Sequence, residues 1–236
     1  MREQVNWGRQ AQKGFLASGI DAADRKGHKN FYIDLLQKMA LEEVMEFKGN
    51  EIVLDFGCGS GRISSWIASR VKTVIGLDET PEMIELAERN RKAENVKFVS
   101  YDGRRLPDFP DPFDLILSVW VLQYMEPDRL KQVVSELTRL LSQGGRFCLI
   151  EQVSDNPERK RPRIKDYLEV FKESRLECLR YYPIRKGRWW LLYLIRYGFV
   201  PRDWFTEIAR WELKKNRTRE GRISDYRDFL FLVGKA

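Results

Sequence analysis

The sequence predicts an α/β fold in which helices cover both faces of a parallel sheet. Two observations predict it. From residue 51 onward, short apolar runs alternate with segments whose apolar residues recur at helical spacing. The first run, at 51–56, is almost continuously apolar, as expected of a strand buried on both faces. Strands that alternate with helices form parallel sheets between two helical layers.

A helix precedes this alternating region. Residues 1–30 are polar and contain scattered glycines, which indicates a partly mobile arm. The segment 31–47 follows with helical spacing of its apolar residues. These residues are Tyr32, Leu35, Leu36, Met39, Val44 and Phe47. Gly49 and Asn50 end the predicted helix.

Five strands and three helices are predicted next. The strands lie at 51–56, 72–78, 96–102, 113–122 and 146–153. The helices lie at 61–70, 80–94 and 128–141. The helix at 80–94 has a clear start, since Thr80 suits the N-cap and Pro81 the first helical position. The helix at 128–141 carries a single apolar stripe. The stripe consists of Leu130, Val133, Val134, Leu137, Leu140 and Leu141.

After residue 153 the pattern changes. A charged loop leads to a predicted helix at 164–175 and a strand at 176–184. The segment 188–219 is rich in Trp, Tyr, Arg and Lys, and we predict helices on either side of Pro201. A last strand is predicted at 226–235.

The composition suits one domain with an insertion. The 236 residues are 43% hydrophobic, and the net charge is +7 with a pI near 9.3. Such a charge suits an anionic partner, although surplus Lys and Arg on an ordinary surface explain it better. Three widely spaced cysteines predict neither a zinc site nor a disulfide framework. With no leader-like start and no apolar run of spanning length, the sequence predicts a cytoplasmic protein.

Three glycines at alternate positions follow the first predicted strand. Gly57, Gly59 and Gly61 require either positive φ or close approach of the backbone to another group. In an open parallel sheet, ligands bind beyond the carboxyl ends of the strands, where this loop lies. A dinucleotide site would need glycine or alanine where this chain has Arg62, so we disfavour a nicotinamide cofactor.

Three acids end the first three predicted strands. Asp55 is placed to meet a ligand ammonium group, Asp78 the hydroxyls of a ribose, and Asp102 an adenine amino group. Each acid alone could equally be a turn residue or a helix cap. Together they would repel a pyrophosphate and favour a cationic nucleoside.

Five successive motifs resemble those of the class I S-adenosylmethionine-dependent methyltransferases. They are VLDFGCGSGR, VIGLDETPEMIELAER, FVSYDGRRLP, FDLILSVWVLQYM and LLSQGGRFCLIE, all within 51–151. The resemblance implies a Rossmann-like seven-stranded sheet, mostly parallel, whose last strand is antiparallel and lies at 226–235. It implies S-adenosylmethionine as cofactor. We predict cofactor contacts at Asp55, Gly57, Cys58, Gly59, Asp78, Glu79, Asp102, Gly103 and Val119.

We therefore predict three segments. Residues 1–50 form an arm and helix that act as a lid, 51–153 bind S-adenosylmethionine, and 154–236 lie on the substrate side. The predicted activity is O-methylation of a small molecule or a glycan. The alternatives are a scaffold that binds the cofactor without catalysis, and a methyltransferase for RNA or for a lipid-linked substrate at a membrane.

An oxygen acceptor must lose a proton, and the sequence has few candidates for the base. Gln123 stands where many small-molecule members of the family carry histidine. The predicted catalytic residues are Glu151, at the end of the fifth strand, and His28, the only histidine. A surface acid and a solvent-exposed histidine are the competing interpretations. The positive charge of the sulfonium favours nearby aromatic faces, and the candidates are Phe56, Trp120 and Tyr32.

The segment 188–219 allows several partners. Aromatic residues interleaved with Arg suit single-stranded nucleic acid, peripheral membrane contact through 188–200, or a lid over a sugar. We favour packing on the domain for most of them, namely Trp189, Leu192, Leu194 and Ile195. No DNA partner is expected, because the motif for amino-group methylation of bases is absent after the fourth strand.

Overall fold

The computed structural model describes residues 5–187, 189–218 and 221–235, and its centre is a seven-stranded sheet. Arg188 and Arg219, the two ends of the predicted insertion, and residues 1–4 of the arm lie outside the described residues. The strands are β1 Ile52–Phe56, β2 Thr73–Asp78, β3 Val96–Ser100, β4 Phe113–Val119, β5 Leu141–Val153, β6 Leu176–Lys186 and β7 Arg227–Lys235. The helices are α1 Trp7–Ala11, α2 His28–Glu42, α3 Arg62–Ile67, α4 Pro81–Asn90, α5 Pro127–Leu140, α6 Ile164–Glu173, α7 Trp190–Tyr197 and α8 Phe205–Arg217.

The strand order is β3-β2-β1-β4-β5-β7-β6, with β7 between β5 and β6. All pairs from β3 to β5 are parallel, whereas β7 runs antiparallel to both of its neighbours. The predicted sheet with a reversed last strand is therefore confirmed. The chain leaves β1 in one direction and returns beside it as β4, so the strand order reverses between these two strands. Ligands of open α/β sheets bind at this reversal point.

Buried side chains fill both faces of the sheet, as predicted. On one face α2, α7 and α8 contribute to a core that includes Tyr32, Leu36, Ile195 and Phe205. On the other face α5 and α6 contribute Val133, Leu137, Tyr167 and Phe171. The predicted stripe of α5 thus faces the sheet, apart from Leu140, which is only partly buried.

The boundaries of two strands, β4 and β5, differ from the prediction. Strand β4, predicted over 113–122, ends at Val119 because Trp120 adopts a φ of +61°, which turns the chain away from the extended direction. Strand β5, predicted to begin at 146, begins instead at Leu141, whose pairing with the start of β4 crosses an irregularity in the ladder.

Helix α2 also begins earlier than predicted. It starts at His28, because Gly27 has a φ of +71° and Asp24 accepts a hydrogen bond from the amide of Asn30 at 2.9 Å. That bond satisfies a donor in the first turn, which has no partner within the helix. The helix ends at Glu42, short of the predicted residue 47.

Arg62 explains why its position departs from the dinucleotide pattern. Its side chain is buried and donates hydrogen bonds to Asp34 at 3.0 Å and to Gln37 at 2.7 Å. Both acceptors belong to α2, so Arg62 joins the first turn of α3 to that helix. A glycine there could make neither bond.

Helices α7 and α8 flank Pro201, which confirms the prediction for this segment. Leu192 and Ile195 of α7 are buried against the domain, as expected, and Trp189 is partly buried. The prediction that Leu194 packs on the domain is wrong, because 38% of its surface is exposed. Helix α8 packs against the core through Phe205, Ala209 and Leu213. Among the described residues, no helix is long and apolar enough to cross a membrane.

Candidate functional site

A cavity of about 350 Å³ opens where the strand order reverses, beyond the carboxyl ends of β1, β2 and β4. Predicted cofactor-binding residues that line it are Asp55, Gly57, Cys58, Gly59, Asp78, Glu79, Gly103 and Val119. Further lining residues come from other segments, among them Trp7, Gly19, Arg62, Met83, Tyr101, Trp120, Tyr124, Met125 and Arg129. The cavity therefore gathers residues from at least six separate parts of the chain.

The glycine loop turns sharply between β1 and α3. The amides of Gly57 and Cys58 both donate to the carbonyl of Leu77 in β2, at 2.7 and 3.0 Å. Gly57 has a φ of +68°, and a Cβ there would lie 2.4 Å from a methyl carbon of Val121. Gly59 has a φ of +54°, and a Cβ there would meet nothing within 4 Å. The first glycine is thus required by packing, whereas the second leaves bare backbone facing the cavity.

Asp78 connects the end of β2 to this loop. One carboxylate oxygen accepts a hydrogen bond from the amide of Gly59 at 2.9 Å, and the other accepts from the amide of Thr80 at 2.9 Å. Burial raises the pKa of Asp78, and these amide donors partly offset the rise. The carboxylate therefore positions the glycine loop and also faces the cavity.

Two further acids line the cavity. Asp55 accepts hydrogen bonds from the amide and hydroxyl of Ser64, at 3.0 and 2.5 Å, and burial raises its pKa to about 6. Burial and the charge of Asp78 also raise the pKa of Glu79. The Glu79 carboxylate lies beside Gly103, where a Cβ would come within 2.5 Å of it. This end of the cavity is therefore acidic.

The structure does not place Asp102 in the cavity. Its side chain is exposed and accepts a hydrogen bond from the amide of Arg104 at 2.9 Å, which lowers the pKa of the carboxyl. Its neighbours Tyr101 and Gly103 line the cavity instead. The predicted contact between Asp102 and adenine has no support in this geometry and stays a prediction.

Glu151 is fully buried and does not line the cavity. Its carboxylate accepts hydrogen bonds from the amides of Val121, Leu122 and Gln123 at 3.0–3.1 Å, and from the Ser118 hydroxyl at 3.4 Å. Burial raises the pKa of Glu151 to about 8, and these donors oppose the rise. The geometry therefore makes it a positioning residue for the turn after β4 and offers no contact with a substrate.

The second predicted base, His28, also lies away from the cavity. Its ring packs at the C-terminal end of α7, where a Cβ on Gly198 would approach it to 3.1 Å. Tyr32, predicted beside a sulfonium, is buried and donates a hydrogen bond to Glu212 at 2.6 Å. Of the three aromatic candidates, Phe56 and Trp120 line the cavity.

Trp120 has an unusual backbone at this site. Its φ of +61° is rare for a bulky residue, and its amide donates to the carbonyl of Ile150 at 2.8 Å. The guanidinium of Arg185 lies 5.8 Å from its ring centroid. Its indole Nε1 is buried and has no hydrogen-bond partner among the described residues. Such local strain in the backbone is concentrated at functional sites.

The sequence did not predict several lining residues. Trp7 of the arm packs edge-on against Tyr124, with ring centroids 5.4 Å apart, and the Ser60 hydroxyl donates to the carbonyl of Phe15 at 2.5 Å. Arg129 donates to the carbonyl of Gly103 at 2.7 Å. A lone tryptophan in a polar arm was the available signal for Trp7, but no local pattern distinguishes Tyr124 or Arg129.

Comparisons with known proteins agree with this site. Residues 53–145, which include the glycine loop and Asp78, match a family model described as a methyltransferase domain. The methyltransferase YcgJ of Bacillus subtilis is 32% identical over 109 residues, which cover 45% of this chain and 42% of YcgJ. A rice protein named "probable tocopherol O-methyltransferase" is 30% identical over 187 residues, covering 75% of this chain and 49% of its own. The chain thus spans about half the length of these two relatives.

Solved structures show the same fold. A methyltransferase of Haloferax volcanii, solved in complex with the methyltransferase activator Trm112, aligns with a TM-score of 0.64 at 20% identity. That alignment covers 99% of both chains. The glycine loop, the acids near the ends of β1 and β2, the reversed last strand and the matched family model lead to one conclusion: residues 53–145 are a methyltransferase domain, set in a fold similar to that of the class I S-adenosylmethionine-dependent methyltransferases.

Proposed function

We propose that this protein transfers the methyl group of S-adenosylmethionine to a hydroxyl oxygen of a small molecule or a glycan. One observation carries the proposal, namely the acidic cavity beside a bare glycine loop at the reversal point of the sheet. The rice relative, whose printed name is that of an O-methyltransferase, supports an oxygen acceptor.

The residues present fit the cofactor. Gly59 offers bare backbone, and the carboxylates of Asp78 and Glu79 are suitable acceptors for the hydroxyls of a ribose. Met83 and Met125 offer polarizable apolar surface for an adenine ring. The acidic lining complements the net positive charge of the sulfonium and ammonium groups.

When bound, S-adenosylmethionine supplies an activated methyl group, so the protein mainly has to align the acceptor and exclude water. Phe56, Val119 and Trp120 line the cavity with apolar surface, and Trp7 of the arm contributes to its wall. We propose that the arm, within the predicted lid of residues 1–50, closes over the bound cofactor. Neither Glu151 nor His28 reaches the cavity, so we propose that alignment provides most of the rate enhancement. S-adenosylhomocysteine would be the leaving group, and the proton of the acceptor hydroxyl would pass to solvent water.

Calorimetry and product analysis test this function. We expect S-adenosylhomocysteine to bind with a dissociation constant of about 1–100 μM and NAD to give no heat of binding. Incubation with deuterium-labelled S-adenosylmethionine and a panel of hydroxyl acceptors should then give a labelled ether, detected by mass spectrometry. If NAD binds instead, the cofactor assignment fails. Cofactor binding without any methylated product would favour a non-catalytic scaffold.

Replacing Glu151 by glutamine should destabilise the turn after β4. It should not change the proton-transfer chemistry, because Glu151 does not contact the cavity. The amide NH₂ would face one of the three backbone donors, so we expect a loss of about 1–3 kcal/mol of folding stability. The Michaelis constants should rise while the pH dependence of kcat keeps its shape. Thermal unfolding and pH–rate profiles measure the two effects.

His28→Asn serves as the matched control, because it removes the other predicted base. Its activity should stay within about twofold of the wild type, since His28 does not line the cavity. A fall in kcat of about a hundredfold or more in Glu151→Gln, with unchanged Michaelis constants, would instead support general-base catalysis by Glu151.

A further inference from the structure

Helices α7 and α8 present a large aromatic surface with no partner in the described chain. We call it the α7–α8 face and define it by seven exposed side chains: Trp190, Tyr193, Leu194, Tyr197, Phe199, Trp204 and Trp211. Phe199 is 74% exposed, Trp190 67% and Trp204 63%. Exposed apolar patches of this kind mark sites that bind proteins, membranes or ligands.

The spacing shows that this surface is not part of the core. On α7, Trp190, Tyr193, Leu194 and Tyr197 follow one another at intervals of three, one and three residues and form one stripe. Folding uses the opposite side of the helix, where Leu192 and Ile195 are buried. The helix is therefore apolar on both sides, with aromatic residues on the side that faces solvent.

Phe199 lies at the bend between the two helices. Gly198 ends α7 with a φ of +81°, and Pro201 precedes the short turn that leads to α8. A phenylalanine that is three-quarters exposed at such a bend contributes little to folding. Its exposed ring is free to contact an apolar partner outside the chain.

Basic side chains surround the aromatic ones. Lys26 donates a hydrogen bond to the carbonyl of Tyr197, and the turn before α8 and α8 itself carry four further exposed cations, namely Arg202, Arg210, Lys214 and Lys215. Within the described residues 189–218, the exposed carboxylates are Asp203 and Glu207, and Glu207 is paired with Arg210. Lys215 lies 4.3 Å above the ring of Trp211. The face therefore combines apolar rings with an excess of positive charge.

We propose that the α7–α8 face docks this protein on the surface of an anionic lipid bilayer. Trp and Tyr prefer the headgroup region, where one part of the ring is apolar and the other is hydrated. Cations beside them are attracted by anionic lipids, each contributing about 1 kcal/mol near the surface. With its exposed rings in the headgroup region and the cations of α8 beside them, α7 would lie along the bilayer surface.

Other occupants fit this face less well. A second copy of the chain, paired face to face, would bring the basic edges of both copies together, and like charges at an interface oppose association. A single-stranded nucleic acid would use the rings and cations but leave Leu194 without a role, since bases stack on aromatic faces. The proposal does not rest on methyl transfer, because docking can be measured without cofactor or acceptor.

Flotation with lipid vesicles tests the proposal. The 236-residue chain is mixed with vesicles of phosphatidylcholine alone, or of phosphatidylcholine with about one third phosphatidylglycerol. We expect binding to the anionic vesicles that is at least about tenfold stronger than binding to the neutral ones, and weaker at about 0.5 M salt. If the wild-type protein does not float with the anionic vesicles, the proposal is overturned.

Matched variants locate the contact. The triple change Tyr197→Ser, Phe199→Ser and Trp204→Ser removes exposed rings only, and we expect it to reduce binding by about tenfold or more. The control is Leu179→Ser with Tyr181→Ser, which removes exposed apolar groups from β6. Tyr181 stacks on Phe231, whose core lies on the opposite side of the sheet, so the control should bind like the wild type.

A charge variant separates the electrostatic contribution to binding from the contribution of the aromatic rings. Lys214→Glu with Lys215→Glu should lower the preference for anionic over neutral vesicles, with little effect on thermal unfolding, since both residues are exposed. Equal binding by the triple variant and the wild type would overturn the proposal. So would a dimer that light scattering detects in the wild type and not in the triple variant, or binding of a single-stranded RNA in preference to the vesicles.

Discussion

Replacing Gly59 by valine is expected to reduce binding of S-adenosylhomocysteine by about a hundredfold or more while the protein still folds. A Cβ at Gly59 meets no other atom of the chain within 4 Å, so the new side chain would occupy space in the cavity that we assign to the cofactor. The φ of +54° adds a strain of about 1–2 kcal/mol, which the fold can tolerate. Calorimetry measures the affinity, and thermal unfolding measures the stability.

Gly57→Ala is the matched comparison within the same loop. Its Cβ would lie 2.4 Å from a methyl carbon of Val121, a residue held in place by the carboxylate of Glu151. We therefore expect this smaller change to lower the unfolding temperature more than Gly59→Val does. If Gly59→Val loses the fold as well, or keeps its affinity, the loop is a structural turn and the cofactor assignment is wrong.

Replacing Asp78 by asparagine is expected to reduce cofactor affinity by about 10- to 150-fold, the range of one hydrogen bond to a charged group. Both of its oxygens accept backbone hydrogen bonds, from Gly59 and Thr80, so an amide nitrogen must face one of these donors. The loop would then lose its anchor, and the cavity would lose a negative charge. The folding stability should fall by about 1–3 kcal/mol as well, since one backbone donor is left facing an amide nitrogen, although the neutral amide has a lower desolvation cost.

Asp102→Asn is the control for the second acid at a strand end. Its exposed carboxylate accepts a bond from the amide of Arg104 and lies outside the cavity, so we expect a change of less than about threefold in affinity. A loss as large as that of Asp78→Asn would show that the side chain turns toward the cofactor. The adenine contact predicted from the sequence would then be restored.

The segments of regular structure were predictable because their signals are local. The apolar runs around β1, β2 and β4 and the stripe of α5 appear at the expected places, within a few residues. The exceptions have a single cause in each case. Trp120 ends β4 through its positive φ, and Gly27 with Asp24 starts α2 early. Such backbone choices depend on contacts between distant segments, which periodicity does not contain.

The residues of the candidate site also fall into two groups, those predictable from local sequence and those that depend on contacts between distant segments. The glycine loop, Asp78 and Glu79 follow strand ends directly, so their convergence could be predicted from the rule for parallel sheets. The roles of Glu151 and Asp102 could not. Glu151 lies near the end of β5 and Asp102 follows β3, yet Glu151 is buried beneath a turn and Asp102 is exposed on a loop. Position along a strand does not determine which group a side chain meets.

The sequence by itself determined the alternation of strands and helices, the glycine loop and the acids that end β1 and β2, because each depends on neighbours in the chain. Only the tertiary structure decided that Trp7 joins the cavity, that Glu151 holds the turn after β4, and that the rings of α7 face outward. The physical reason is that burial and hydrogen bonding are settled by segments that meet in space. The amino-acid sequence shows which residues are able to make such contacts, but it does not show which of them meet in the folded chain.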